Sequence, residues 1–166
     1  MPEARAVYGT PITLTLGLAN LANSASLVAG RESTVVINTT TKWEDFLVSL
    51  RIRTGSVAPT NNTTIEVWFW ACINDSGPVY PANITGADAN ITFTSVRVKE
   101  SALKHVQTIT VDATANLDYF VSQVSVRDVF GFVPAQWGVV VLNGTGQALN
   151  ASNHLAVAQP VRTEFA

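Results

Sequence analysis

Charge is what this chain has least of. Asp, Glu, Lys and Arg make up 13% of its 166 residues, against about 25% in an ordinary globular domain. From Val129 to Val161, 33 consecutive residues carry none. The seven arginines and three lysines are scattered, and the net charge is −2. No basic run or stripe forms, which excludes the electrostatic footprint of a nucleic-acid binder. One cysteine, Cys72, excludes an internal disulfide framework and a cysteine-based metal site. Set within Val67-Trp68-Phe69-Trp70-Ala71-Cys72-Ile73, it reads as a small buried hydrophobe. Long apolar runs are missing too. Ala6 to Gly30 is uncharged but broken by Pro11, glycines, asparagines and hydroxyl residues, so no membrane-spanning helix is expected. The opening Met1-Pro2-Glu3-Ala4-Arg5 lacks the basic start and apolar core of an export signal.

Solvated charge keeps a free monomer's surface from adhering to others. A chain that omits so much of it is expected to have its surface covered by other protein. The length suits one domain that buries its own core without staples.

What is present is alternation with a period of two. Phe46, Val48, Leu50 and Ile52 share one face of a strand, with Ser49, Arg51 and Arg53 on the other. Ile65, Val67, Phe69, Ala71 and Ile73 alternate with Glu66, Trp68, Trp70 and Cys72, so that strand is apolar on both faces. Such a strand lies at the middle of a sandwich or presses one face on a partner. Further strands are read at Ile12–Leu16, Thr34–Asn38, Ile91–Val98, Val106–Val111, Tyr119–Arg127, Trp137–Leu142 and Leu155–Val161, all rich in residues that suit a pleated surface. Turns fall at Thr54-Gly55-Ser56, Pro59-Thr60-Asn61-Asn62, Asn74-Asp75-Ser76-Gly77-Pro78 and Asn143-Gly144-Thr145-Gly146, the last read as a hairpin. One helical turn near Ser101–His105 or Asn20–Leu27 stays open. The fold expected is all-β: a single antiparallel β-sandwich, jelly-roll-like, over residues 31–166, preceded by an irregular arm or first strand over 1–30. Deleting 1–30 is expected to spare folding.

Asn-x-Ser/Thr triplets occur at Asn38, Asn61, Asn62, Asn74, Asn83, Asn90, Asn143 and Asn150. They are read as turn chemistry, because asparagine tolerates left-handed backbone.

Signals for catalysis or metal binding are thin. His105 and His154 belong to no ligand spacing and read as structural. No Gly-x-Ser-x-Gly elbow occurs, and nothing around Cys72 supplies the electropositive setting of a reactive thiolate. Sandwich folds host glycosidases with paired carboxylates, so Glu44, Asp45, Glu66, Asp75, Asp88, Asp112, Asp118 and Asp128 were weighed. Most sit at strand ends or turns, where Asp caps the backbone. Glu66 alone lies mid-strand, sharing a face with Trp68 and Trp70, and a structural or interface role is expected for it. No calcium loop and no phosphate-binding glycine pattern occurs.

One segment carries a resemblance. Phe130-Gly131-Phe132-Val133-Pro134 followed by Trp137-Gly138-Val139-Val140-Val141-Leu142-Asn143-Gly144-Thr145-Gly146-Gln147-Ala148-Leu149, with Thr64-Ile65-Glu66-Val67 and the Tyr80-Pro81…Ile84-Thr85-Gly86-Ala87-Asp88 loop, resembles small structural proteins of tailed bacteriophages. These are the capsid decoration, or cement, proteins of jelly-roll type. The likeness covers roughly residues 35–160. It implies a virion protein on the outer surface of the capsid, made in the host cytoplasm. Such a protein forms a homo-oligomer, such as a trimer, and bridges major capsid protein subunits. It works without cofactor or catalysis and contacts neither nucleic acid nor membrane. Trp43, Trp68, Trp70, Phe130 and Trp137 are the expected core or interface residues. Three other readings stand beside it: a sugar- or receptor-binding module stacking ligands on Trp43, Trp68, Trp70 or Tyr80, a glycosidase built on Glu66, and a tail or neck component.

Overall fold

The computed structural model describes residues 3–74 and 77–165. In chain order the elements are β1 (Ala4–Tyr8), β2 (Ile12–Thr13), β3 (Ala29–Glu32), β4 (Val36–Ile37), β5 (Asp45–Arg53), β6 (Thr63–Ala71), β7 (Ala89–Thr92), α1 (Val96–Ala102), β8 (Lys104–Val111), β9 (Asp118–Ser125), α2 (Val126–Phe130), β10 (Gln136–Asn143) and β11 (Leu155–Phe165). They build two antiparallel sheets. The five-stranded sheet runs β1-β11-β5-β9, with β2 also on β11; the six-stranded sheet runs β7-β3-β10-β6-β8, with β4 also on β10. Most connections, from β2 to β3 through β10 to β11, carry the chain from one sheet to the other. With β7 as an added edge, that winding is the double Greek key of a jelly roll.

The core between the sheets follows the period-two pattern. β5 buries Phe46, Val48, Leu50 and Ile52 and leaves the alternate residues half-buried. They meet Ile65, Val67 and Phe69 of β6 and Trp137, Val139 and Val141 of β10. The six-stranded sheet has a second core on its outer face. The chain between β6 and β8 supplies its cover: Ile84, Phe93 and Leu103, with Ile91 of edge strand β7, cluster with Trp68, Trp70, Val140 and Leu142. All eight residues of β10 are therefore buried. The charge-free run finds much of its explanation here: a strand with packed side chains on both faces cannot hold an unpaired charge, and the cover comes from the same chain. The two-sided apolarity of β6 has the same cause.

Gly138 makes the outer core possible. It pairs with Trp70 across the ladder, and a Cβ there would lie 2.5 Å from the Trp70 ring. The indole lies flat against the glycine.

Several expectations change. The first 30 residues supply β1 and β2, both on β11, and bury Leu14, Leu18 and Leu21 in the inter-sheet core. Deleting them would remove three buried leucines from that core, so loss of folding replaces spared folding as the expected outcome. Ile91–Val98 divides: the strand ends at Thr92, and Ser95 caps α1, its Oγ accepting from Val98 N–H at 3.3 Å. Tyr119–Arg127 divides as well, where Ser125 caps α2 by accepting from Asp128 N–H at 2.9 Å. The Asn143–Gly146 turn is no hairpin, because β10 and β11 lie in different sheets. It is a crossover pinned by buried Asn143. The Asn143 amide donates to the carbonyls of Leu21 and Gln147, while its Oδ1 accepts from the backbone N–H and hydroxyl of Thr145. Of the eight triplet asparagines Asn62 and Asn83 adopt positive φ, whereas Asn90 and Asn143 lie in β7 and β10 instead of turns. The Asn74–Pro78 turn lies partly outside the described residues.

Candidate interaction surface

The five aromatic candidates separate by position. Trp70 and Trp137 are fully buried, on the outer and inner faces of the six-stranded sheet. The Trp137 ring packs at 5.3 Å from Phe46 and 5.8 Å from Phe69, and neither indole N–H has a partner. Trp68 is buried beneath Lys99, whose Nζ sits 4.7 Å from the ring centroid. Trp43 is half-buried, lying on Gly9 and covered by the Arg162 guanidinium at 5.1 Å. Tyr80 stands edge-on to Trp70. Of the rings proposed as sugar platforms, Trp68 and Trp70 are thus covered by the protein itself, while Trp43 and Tyr80 stay half-buried. Phe130, at the end of α2, is half-buried between Phe69 and Phe132.

The polar candidates are tied into structure in the same way. Glu66 accepts from Trp68 Nε1 at 2.9 Å and from Lys99 Nζ at 2.8 Å. Its cross-strand neighbours are Leu142 and Thr108, so neither adjoining strand places a second carboxylate opposite it. Asp45 binds Ser125 Oγ and Arg127 N–H, which fastens α2 to β5. Glu44 accepts from Thr163 N–H, Asp112 from Thr114 N–H, and Asp118 pairs with Arg53 at 3.5 Å. Asp128 lies in the first turn of α2. Asp88 accepts from Arg31 Nε at 2.6 Å and from Gly17 N–H at 2.9 Å. The Arg31 hydrogen bond holds the Asp88 carboxyl below its usual range. Asp75 lies outside the described residues. Glu32, which the sequence did not single out, is fully buried and accepts from Thr85 N–H, Thr85 Oγ1 and Gly86 N–H. It locks the 81–88 loop onto β3.

Cys72 is half-buried just past β6, not the buried hydrophobe expected, and its single S–H is shared between the carbonyls of Asn74 and Val79. His105 shares a hydrogen bond with Thr108 Oγ1. His154 bridges Arg53 N–H and the Asn150 carbonyl. Among the described residues no cluster of three metal-ligating side chains occurs, and no helix is long and apolar enough to cross a membrane.

Exposed large apolar side chains are spread over the surface, Ile37, Val57 and Phe120 among them, and two places stand out. The first follows from α2. Gly131, at φ 80°, ends the helix in the left-handed conformation that favours glycine, and the chain turns so that Phe132 projects. Phe132 is 61% exposed and Ile73 72%. With Ala71, Pro81, Ala102 and Phe130 they line a groove of about 420 Å³. Phe132 is also the wall of a second hollow of about 490 Å³, bordered by Trp43, Glu44 and Arg127. The second place is the β1 edge of the five-stranded sheet, where Tyr8 and Phe165, 63% and 73% exposed, stand at opposite ends of the β1–β11 ladder. The sequence pointed to Phe130 and missed Phe132. The Ser125-x-x-Asp128 cap with Gly131 behind it was the signal that a short helix would swing the second phenylalanine outward. No protein-family model matches this sequence, and the curated proteins hold no significant match to it.

Proposed function

We propose that this chain is a structural virion protein: a decoration, or cement, protein on the outside of a tailed-phage head, self-associating and bridging major capsid protein subunits. The observation that carries the reading is where the leftover apolar surface lies. Both cores are closed within one chain, yet Phe132 and Ile73 at one site and Tyr8 and Phe165 at another stay open to water. Single exposed apolar residues are ordinary, but a contiguous set lining a groove marks a contact surface. The polar groups that chemistry would recruit are meanwhile engaged in holding loops and helices. The jelly roll serves capsid proteins among others, and this support is an analogy of fold.

In this reading the Phe132–Ile73 groove meets the shell. Apolar burial there contributes about 25 cal/mol per Å² before association costs, and many copies on one lattice add avidity. The test is mass spectrometry of purified particles together with add-back to heads that lack this protein. The expected result is a copy number comparable with the major capsid protein and loss of add-back in Phe132→Ser. Absence from the particles would end the proposal. Unchanged add-back by the folded variant would move the contact away from the groove.

A further inference from the structure

Among the described residues the outer strands are β1, the two-residue β2 and β9 in one sheet, and β7, the two-residue β4 and β8 in the other. An outer strand offers unpaired N–H and C=O groups to any chain that can align with them, and native proteins usually blunt it. β8 is blunted by a register shift opposite Val67/Trp68, and β9 by one opposite Val48/Leu50, where Gln123 takes φ 49°. β7 has only four residues. β1, five residues long with Arg5 as its one charge, has no register shift. Its register with β11 runs unbroken, Ala4 opposite Phe165 through Tyr8 opposite Val161.

The phase of that ladder decides which groups point outward. Gly9 N–H donates to the Pro160 carbonyl, and the Val161 carbonyl accepts from Glu44 on the far side of β11. Backbone direction alternates along an antiparallel strand, so Arg5 and Val7 bond to β11. Ala4, Ala6 and Tyr8 then present both their N–H and C=O to the open edge. These three positions are symmetric about Ala6.

Resting on the reading that the chain self-associates, we propose that β1 is the self-association edge. Two copies pair β1 with β1, antiparallel about a two-fold axis through Ala6, joining their five-stranded sheets into one. In that register Ala6 faces Ala6 of the second copy and Ala4 faces its Tyr8, each facing pair exchanging two hydrogen bonds. Arg5 falls opposite Val7, so like charges are not set against each other, and Arg5 keeps Glu164 as its cross-strand neighbour. Ala4, Ala6 and Tyr8 share a face with Phe165, Thr163 and Val161, so Tyr8 of one copy and Phe165 of the other flank the small Ala4. A second copy fits this edge better than an unrelated peptide, because the outward groups are self-complementary. A two-fold contact of this kind is isologous and closes as a dimer.

The test is sedimentation velocity of the full chain over a micromolar range, beside Ala6→Pro. Proline at 6 removes an outward N–H and leaves the β1–β11 bonds in place. The expected result is a dimer whose dissociation constant rises by about 100-fold in Ala6→Pro, with an unchanged circular dichroism spectrum. A second measurement does not depend on that variant folding: under mild oxidation Ala6→Cys should give a covalent dimer and Val7→Cys should not, Cys72 being common to both. An oligomer that ignores Ala6→Pro and cross-links at neither position overturns the β1 edge and leaves self-association standing. A trimer does the same. A wild-type chain that stays monomeric overturns both.

Discussion

In the five-stranded sheet, β5 buries every second residue and lets the others reach solvent; in the six-stranded sheet, β10 buries all eight. Both strands sit inside their sheets and share the central core. The difference lies in the insertion 72–103, which gives one sheet a second packed face. The lesson concerns the scarcity of charge. It suggested a surface covered by other molecules, whereas for β6 and β10 the covering is intramolecular. What remains for partners is smaller: a groove ridged by Phe132 and the β1 edge.

The largest expected effect tests the shared core. Trp137→Ala should destabilise the domain by about 3–5 kcal/mol, read from urea or thermal unfolding. Trp137→Phe should recover most of that, because it keeps an aromatic ring against Phe46 and Phe69 and removes an indole N–H that has no partner. A loss below about 1 kcal/mol for the alanine variant would contradict the shared core.

Next comes the attachment of α1 to the outer face. Lys99→Met leaves Glu66 without its cation beneath the insertion, and should cost about 3 kcal/mol. The double change Lys99→Met with Glu66→Gln should cost less than the single one, since the uncompensated charge is gone. Additive losses would show that the ion pair is not coupled. Gly138→Ala probes the same face from below and should cost about 1–3 kcal/mol by driving the Trp70 ring off its seat. A neutral result would mean the insertion shifts freely over the sheet.

The smallest effect is electrostatic and separates the insertion from the rest. The Asp88 carboxyl is held below its ordinary value, first by the Arg31 hydrogen bond. A depressed folded value contributes stability that is present above the unfolded value, near 4, and is lost as pH falls through the folded one. Asp88→Asn should therefore lower stability modestly at neutral pH, where the contribution is fully present, and flatten the acid limb of the stability curve below about pH 4. An acid limb identical to that of the wild type would assign it to other carboxylates.

The sandwich was legible because β5 alternates cleanly and β6, β10 and β11 are long runs rich in residues that suit a pleated surface. The short elements were not. Val96 and Val98 have strand propensity, and only the Ser95 cap and the fit of Lys99 to Glu66 make that segment helical, a tertiary override of propensity. Leu14, Leu18 and Leu21 have no clear period, so their burial was invisible until β1 and β2 were seen to dock on β11. The crossover at Asn143–Gly146 looked like a hairpin because turn chemistry is the same whether the next strand joins the same sheet or the other. At the candidate surfaces, aromatic residues could be found from the sequence, but core and exposed ones could not be separated. Trp68, Trp70 and Trp137 are interior, and Phe132, Tyr8, Phe165 and Phe120 are left outside.

Hydrogen exchange on the isolated chain, followed from dilute to concentrated solution, tests the central claim most directly: that apolar demand is met within one chain except at defined contact surfaces. β10 amides should be as protected in the most dilute sample as in the most concentrated, exchanging only through global unfolding, while Ala4, Ala6 and Tyr8 gain protection with concentration. Protection of β10 that appears only as the chain associates would contradict it.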